Sequence, residues 1–590
     1  LTYNAAGQLT RKAVAGGQTY DYSYNGASGL LTSAASTVHR IDVSYDVFDR
    51  PNKVTSTFLP SNFQASVLYS HPDTSGYENV QLEASGNTLD FGVTFDSTYG
   101  ELPSMLYGDY TSGIWLYPRH DGAGRRTGWE TQGFDLQGEF TYDAADRLTG
   151  KRYYDSTGTI FQAGWKYSPA GRMTEATDLD GTHQFTYDDA GRLVKATHPT
   201  PDNPTENYSY DQAGNRRVVG QESSFEYDAA NRLLADPLYT CEYDASGNLV
   251  KKTNKTTSAV TQYTYDAEDK LTSASLPNGE TAAFAYDPFG RRIEMRVGTK
   301  IVHYVFDGDE EFAEFDENNQ LVRSYFNGQA LDMPEGMIDG DFAWPVEHFY
   351  YTDPLGTILA VGDDWGKIAA TYRYQAYGQP VAATGALGNP RLFTARNYDA
   401  ETGLYYMRHR FYDPAAGRFL QRDPVAVLAA LAPYAYADND PVNTRDPLGL
   451  QPPGPGWWTS WNPNTFSSPW SYTARSIATS GEIGGLRATS DAASALRGVV
   501  YRSGGRWLFG NSASGVIGGA AASGQAGFAS VGLLSRLNAV ATAGYVGYKT
   551  GQYLDRTFCL SDRISSSMMQ TYGPIRSKTL LNALDWLGIY

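Results

Sequence analysis

Two features of the amino-acid sequence predict a mainly β fold: hairpins repeated into a long curling sheet, followed by a mostly α-helical C-terminal tail. Tyrosine (44) and glycine (61) are abundant in the 590 residues, while charged residues make up only 19%. That balance suits short strands joined by frequent turns. A Tyr-Asp unit also recurs along the chain, each copy combining alternating strand residues with turn chemistry.

The repeat occupies residues 1–300. Clear copies begin at Tyr142-Asp143, Tyr187-Asp188, Tyr210-Asp211, Tyr227-Asp228, Tyr243-Asp244, Tyr265-Asp266 and Tyr286-Asp287. Weaker copies begin at Tyr3, Tyr24, Tyr45 and Tyr167. From Tyr187 the successive spacings are 23, 17, 16, 22 and 21 residues, room for two short strands and their turns. Segments such as Phe185-Thr186-Tyr187 have the period of two of a strand with one buried face. Asp-x-x-Gly/Asn/Asp then makes the turn: Asp caps it, and the fourth residue tolerates positive φ. One hairpin cannot bury its own face, so successive hairpins must pair edge to edge, and strand twist curls the resulting sheet into a spiral. In this reading each Tyr stacks and each Asp turns, with no catalytic role.

Charge is divided unevenly. Residues 451–590 carry 11 Lys and Arg against 5 Asp and Glu, whereas residues 1–450 carry 36 against 60. An acidic body repels phosphates, so no nucleic-acid partner is expected for it. Two cysteines, Cys241 and Cys559, lie far apart and read as free thiols. The chain opens on LTYNAAGQLT, already repeat material and without an initiating Met, which reads as a piece of a longer protein.

Residues 301–450 change character. They contain Tyr350-Tyr351-Thr352-Asp353-Pro354-Leu355-Gly356, then Arg391-Leu392-Phe393, Arg410-Phe411-Tyr412-Asp413-Pro414 and Asp423-Pro424, and they close on Asp446-Pro447-Leu448-Gly449-Leu450. At Gln451 tyrosine and aspartate thin out, and Pro, Trp, Ser, Gly and Ala take over.

Residues 1–450 resemble the YD/Rhs repeats and associated core of bacterial Rhs proteins, the insecticidal toxin-complex C subunits and teneurin ectodomains. The resemblance implies a hollow shell that encloses a C-terminal toxin. It also implies an aspartyl self-protease that cuts once, between Leu450 and Gln451. The residues carried over by motif are Arg410, Asp423 and Asp446. The chemistry suits such a set: close carboxylates push their proton affinities apart, so that one is ionised and activates water while the other donates a proton. An arginine orients a carboxylate or steadies the oxyanion. The alternative for each residue is structural, with Asp-Pro opening a turn and Arg410 in an ion pair worth under ~1 kcal/mol. Two departures from the family pattern are Asp440, where Asn is common, and Val425-Ala426-Val427 after Asp423-Pro424. His409 reads as structural.

The resemblance implies that the tail, residues 451–590, is the variable effector region, entered through an irregular Pro- and Trp-rich linker, 451–470. It has no histidine, which excludes histidine-dependent nucleases and hydrolases within it. Its five acidic residues are scattered, so no metal site and no cofactor is expected. Trp507 to Ser535 is free of charge, and Gly515 and Gly519 show the spacing of closely packed helices. A membrane-active effector, a soluble helical packing unit and an unrecognised enzyme all remain open for it. Implied partners are the tail as cargo, secretion-system or toxin-complex subunits, an immunity protein and a target-cell membrane, with the protein secreted or at the bacterial cell surface. The rival class is an adhesive surface protein whose repeats bind glycans or neighbouring cells.

Overall fold

The computed structural model describes residues 1–450 apart from 15–17, 60, 71–76, 96–102, 108–114, 133–134, 220–224, 329–330, 341–345, 364, 386 and 425–431; beyond 450 it describes 500–503 and 506–509. The chain divides into two compact units, Leu1–Gly485 and Leu486–Tyr590.

Each hairpin of the first unit is set by its turn. Asp143 accepts backbone N–H bonds from Ala145 and Arg147 on Oδ1 (2.9 and 3.0 Å), and the Arg147 Nε donates to its Oδ2 at 2.6 Å. The same Arg bond recurs in Asp188–Arg192, Asp228–Arg232 and Asp287–Arg291. The fourth residue of each turn lies in the left-handed region: Asp146 at φ 61°, Gly191 at 84°, Asn231 at 61° and Gly290 at 83°. Glycine, Asn and Asp are the residues that adopt it at least cost, which explains their rotation at this position. A bulge follows at the tyrosine, as the register shifts between Thr141 and Tyr142 and between Thr186 and Tyr187 show.

The repeats are then tied to one another. Tyr142 donates its hydroxyl to the Arg126 carbonyl (2.7 Å), Tyr167 to Leu148 (2.7 Å), Tyr187 to Met173 (2.6 Å) and Tyr265 to Leu249 (2.8 Å). In the other direction the Arg147 guanidinium lies 4.7 Å from the Tyr167 ring centroid and donates to the Ser168 carbonyl at 3.2 Å; Arg192 repeats this over Tyr210. The tyrosine and arginine of one unit thus bracket its neighbours.

Pairing runs antiparallel from each strand to the next, in a 20-stranded ladder from Thr2 to Val219 and a 16-stranded ladder from Glu226 to Thr384. The second ladder crosses residue 300 without a break, through the pairing of Arg292–Val297 with Lys300–Asp307. The sheet doubles back on itself. Ile41, Val54, Phe63 and Leu82 share a core with Tyr263, Phe284, Val305 and Phe315, and Trp129, Tyr153 and Phe161 share another with Phe349 and Tyr351. Polar links cross these layers, including Tyr69 Oη to Asp307 Oδ1 at 2.7 Å and Lys151 Nζ to Thr352 Oγ1 at 2.7 Å.

After Thr384 come four short paired strands, Asn397–Asp399, Leu404–Met407, Arg410–Asp413 and Arg418–Phe419. They are buried almost throughout, charged residues included. Arg292, 1% exposed, pairs with Asp399 at 2.5 Å and lies 4.6 Å from the Tyr406 ring centroid.

In the tail the described residues form one hairpin, Val500–Ser503 with Arg506–Phe509. The helices expected for the tail, the linker 451–470 and the glycine-spaced stretch from Gly515 lie outside the described residues.

Candidate functional site: a buried carboxylate pair

The hairpin that carries Arg410 is sharp. Strands Leu404–Met407 and Arg410–Asp413 pair Met407 with Arg410, leaving Arg408 and His409 as the turn, with Arg408 at φ 53°. The terminal loop Asp446–Leu450 packs onto this hairpin, where the His409 N–H donates to the Leu448 carbonyl at 3.1 Å. Gly449 makes the closest approach. A Cβ there would lie 2.4 Å from the Met407 carbonyl oxygen, and its φ is +65°. Both facts demand glycine at this position of the motif.

Arg410 is 1% exposed, and its guanidinium carbon lies 3.6 Å from the Phe419 ring centroid. Nη2 is 3.2 Å from Asp423 Oδ2 and 3.2 Å from Asp446 Oδ2. One nitrogen therefore touches both carboxylates, so their facing oxygens can be no further apart than twice that distance. Nη1 donates to the Pro433 carbonyl at 3.0 Å, and Nε donates to the Gly449 carbonyl. The Pro433 carbonyl also accepts the Asp423 N–H at 2.9 Å, which ties the second acid to the same arginine.

Asp446 has a second function in the loop. Its Oδ1 accepts the Leu450 N–H at 2.9 Å. The Gly449–Leu450 peptide unit is thus held at its oxygen by Arg410 and at its nitrogen by Asp446, one bond before the position singled out for the cut. Leu450 is buried; Gln451 lies outside the described residues, as do Val425-Ala426-Val427.

Burial raises the proton affinity of Asp446, and the Asp423 charge adds to this while Arg410 and the Leu450 N–H oppose it; the net pKa is about 6. Near neutrality this acid can therefore hold or release a proton, which an exposed aspartate does not do. His409 is pushed down to about 3, by burial first and then by the neighbouring positive charges of Lys270, Arg408 and Arg410, so its imidazole is neutral. Burial raises the Cys241 thiol to about 12 and leaves it a poor nucleophile; Cys559 lies outside the described residues. Asp440, raised to about 6 by burial, accepts from Asn443 Nδ2 at 2.6 Å and takes no part in the pair.

The structure thus brings Arg410, Asp423, Asp446 and Leu450 together from three separate segments. Sequence reasoning missed Arg408, whose Nη1 donates to the Pro447 carbonyl. Its place two residues before Arg410, on a tight turn, was the available signal. Among the described residues no group of three or more His, Cys, Asp or Glu is placed to hold a metal.

Fold and site together define a class: a repeat-built β-shell whose terminal core buries an Arg-linked pair of acids. The match to the teneurin YD-shell family over residues 121–442, more than half of the chain, makes the assignment specific, and the chain belongs to that family. It is 29% identical over 429 residues to the double-stranded DNA deaminase toxin A of Burkholderia cenocepacia, which covers 65% of this chain and 29% of that protein. It is 33% identical over 282 residues to the tRNA nuclease WapA of Bacillus subtilis, covering 45% of this chain and 12% of that protein. Among solved structures the TcdB2-TccC3 complex aligns with 75% of this chain and 28% of that chain, at 17% identity and a TM-score of 0.55, a likeness of fold. The chain spans less than a third of the length of these curated relatives.

Proposed function

We propose that residues 1–450 form the wall of a toxin container that severs its own chain between Leu450 and Gln451, leaving 451–590 as a separate effector held by the wall. The observation that carries this reading is the sharing of one buried guanidinium nitrogen by Asp423 and Asp446 while Asp446 grips the Leu450 N–H. The names of the two relatives, a DNA deaminase toxin and a tRNA nuclease, support an effector role for the tail.

In the proposed reaction Asp423 takes a proton from water, whose oxygen adds to the Leu450 carbonyl carbon. Asp446, the acid with raised proton affinity, gives its proton to the Gln451 nitrogen as the C–N bond breaks. The products are a Leu450 carboxyl group and a Gln451 amine. Arg410 holds both acids in register and fixes the Gly449–Leu450 peptide. The reaction runs once per chain, with no cofactor.

The protein acts outside the cell that makes it, delivered with secretion-system or toxin-complex subunits and countered in its producer by an immunity protein. The step proposed for the tail is action on the target membrane, one of the three readings that its sequence leaves open. No described helix is long and apolar enough to cross a membrane, and the stretches on which this step rests lie outside the described residues. Size-exclusion chromatography tests containment. A cut tail should co-elute with the wall under native conditions and separate on denaturation. An uncut chain that still binds cell surfaces after tail deletion would favour the adhesive class instead.

A further inference from the structure

The loop that carries Asp446 is anchored from outside the pair, and the anchor is Asp332. This residue sits between strands Leu321–Asn327 and Pro334–Asp339, 1% exposed, with a left-handed backbone (φ 56°). Its N–H donates to Glu310 Oε1 at 2.6 Å. Its carboxylate takes the Arg408 fork at two points, Nη1 to Oδ2 at 2.7 Å and Nη2 to Oδ1 at 2.8 Å. Arg396 Nη1 adds a third bond to Oδ1 at 2.6 Å, and the Asp332 carbonyl accepts from Arg445 Nη1 at 2.9 Å.

The positions of these arginines in the chain matter. Arg445 directly precedes Asp446. Arg408 donates to the carbonyl of Pro447, which directly follows it. Asp332 is therefore linked to the chain on both sides of Asp446, by its carbonyl through Arg445 and by its carboxylate through Arg408. Through the same Arg408 it also holds the turn from which Arg410 emerges. A two-point guanidinium–carboxylate contact fixes orientation as well as distance, which a single charge contact does not.

We propose that Asp332 is a positioning residue for the cut after Leu450: acting through Arg408 and Arg445, it keeps the Asp446–Leu450 loop in register with Arg410. The proposal rests on the self-cleavage reading above. Asp332 touches neither Leu450 nor the acid pair, so its effect must pass through the arginines. Displacing reacting groups by about 1 Å costs on the order of a hundredfold in rate.

The test is pulse-labelled cell-free synthesis of the full chain, following the uncut fraction with time by denaturing gel. Protease resistance of the wall is scored in the same samples. Asp332→Asn should fold and cut on the order of a hundredfold more slowly. Arg408→Lys keeps a positive charge opposite Asp332 but gives up the two-point contact, and it should slow the cut by about tenfold or more. The double variant should be little slower than Asp332→Asn alone, because both changes break one linkage. Folded single variants that cut at the wild-type rate, or effects on log rate that simply add, would overturn the proposal. If Asp332→Asn leaves the wall protease-sensitive, Arg408→Lys decides alone. A wild-type chain that never cuts at Leu450 refutes the self-cleavage reading itself; a wild type that cuts beside variants that cut equally well refutes only the role of Asp332.

Discussion

Replacing Gly449 by alanine perturbs the site without touching any ionisable group. The added Cβ would lie 2.4 Å from the Met407 carbonyl oxygen, 3.1 Å from the Arg410 nitrogen and 3.4 Å from the Arg410 Cβ. None of these neighbours is the end of a flexible side chain, so the loop itself must retreat, by about 1 Å to reach ordinary contact with the Met407 oxygen. Holding alanine at φ +65° adds about 1 kcal/mol. The retreat loosens the two bonds that hold the Gly449–Leu450 peptide, from Arg410 Nε and to Asp446 Oδ1. A displacement of that size should slow self-cleavage on the order of a hundredfold. The assay is the time course of the uncut chain in cell-free synthesis. Gly279→Ala is the control, since Gly279 is also left-handed (φ +89°) but a Cβ there meets nothing within 4 Å. It should cost a similar backbone strain and leave the cut unchanged. A folded Gly449→Ala protein that cuts at the wild-type rate would refute the link between this loop geometry and the reaction.

Other expectations follow from the same contacts. Asp446→Asn should give a single uncut chain at every pH, visible on a denaturing gel. In the proposed reaction the acid form of Asp446 is the reactive one, and its pKa is raised to about 6, so cutting should decline as pH rises through that value. A pH–rate profile with the opposite slope would reverse the roles of the two acids. Asp399→Ala strands the buried Arg292 without its carboxylate and should lower stability by about 3–5 kcal/mol in denaturant unfolding. Tyr187→Phe removes a hydroxyl that donates to the Met173 carbonyl and accepts from Asn443 Nδ2, and a loss of about 1–3 kcal/mol is expected in the same measurement.

The hairpins were legible in the sequence because their determinants are local. Asp188 and Arg192 meet within five residues, and Gly191 supplies the one backbone angle that the turn requires. The tyrosine was expected to stack in a ladder, whereas its ring lies under the preceding unit's arginine and its hydroxyl finds a carbonyl. The Tyr187 hydroxyl finds the Met173 carbonyl on the neighbouring strand, a meeting set by strand pairing and not by any residue pattern. The layering was hidden for a similar reason: Phe63 and Phe315 touch only after the ladder has curled back. Within the site, Arg410, Asp423 and Asp446 were reached through the family resemblance, since their separations along the chain do not reveal proximity. Asp332 was invisible and Arg408 was signalled only by its place two residues before Arg410, because a buried carboxylate–guanidinium fork leaves no periodic trace.

Everything turns on whether the peptide bond after Leu450 is broken by Asp423 and Asp446. Intact-mass spectrometry of the purified 590-residue protein, beside its Asp446→Asn variant, asks this directly. The wild type should yield two polypeptides, one ending at Leu450 and one beginning at Gln451, and the variant a single chain of 64.6 kDa. A wild type of 64.6 kDa, or a variant cut at the same bond, would contradict it.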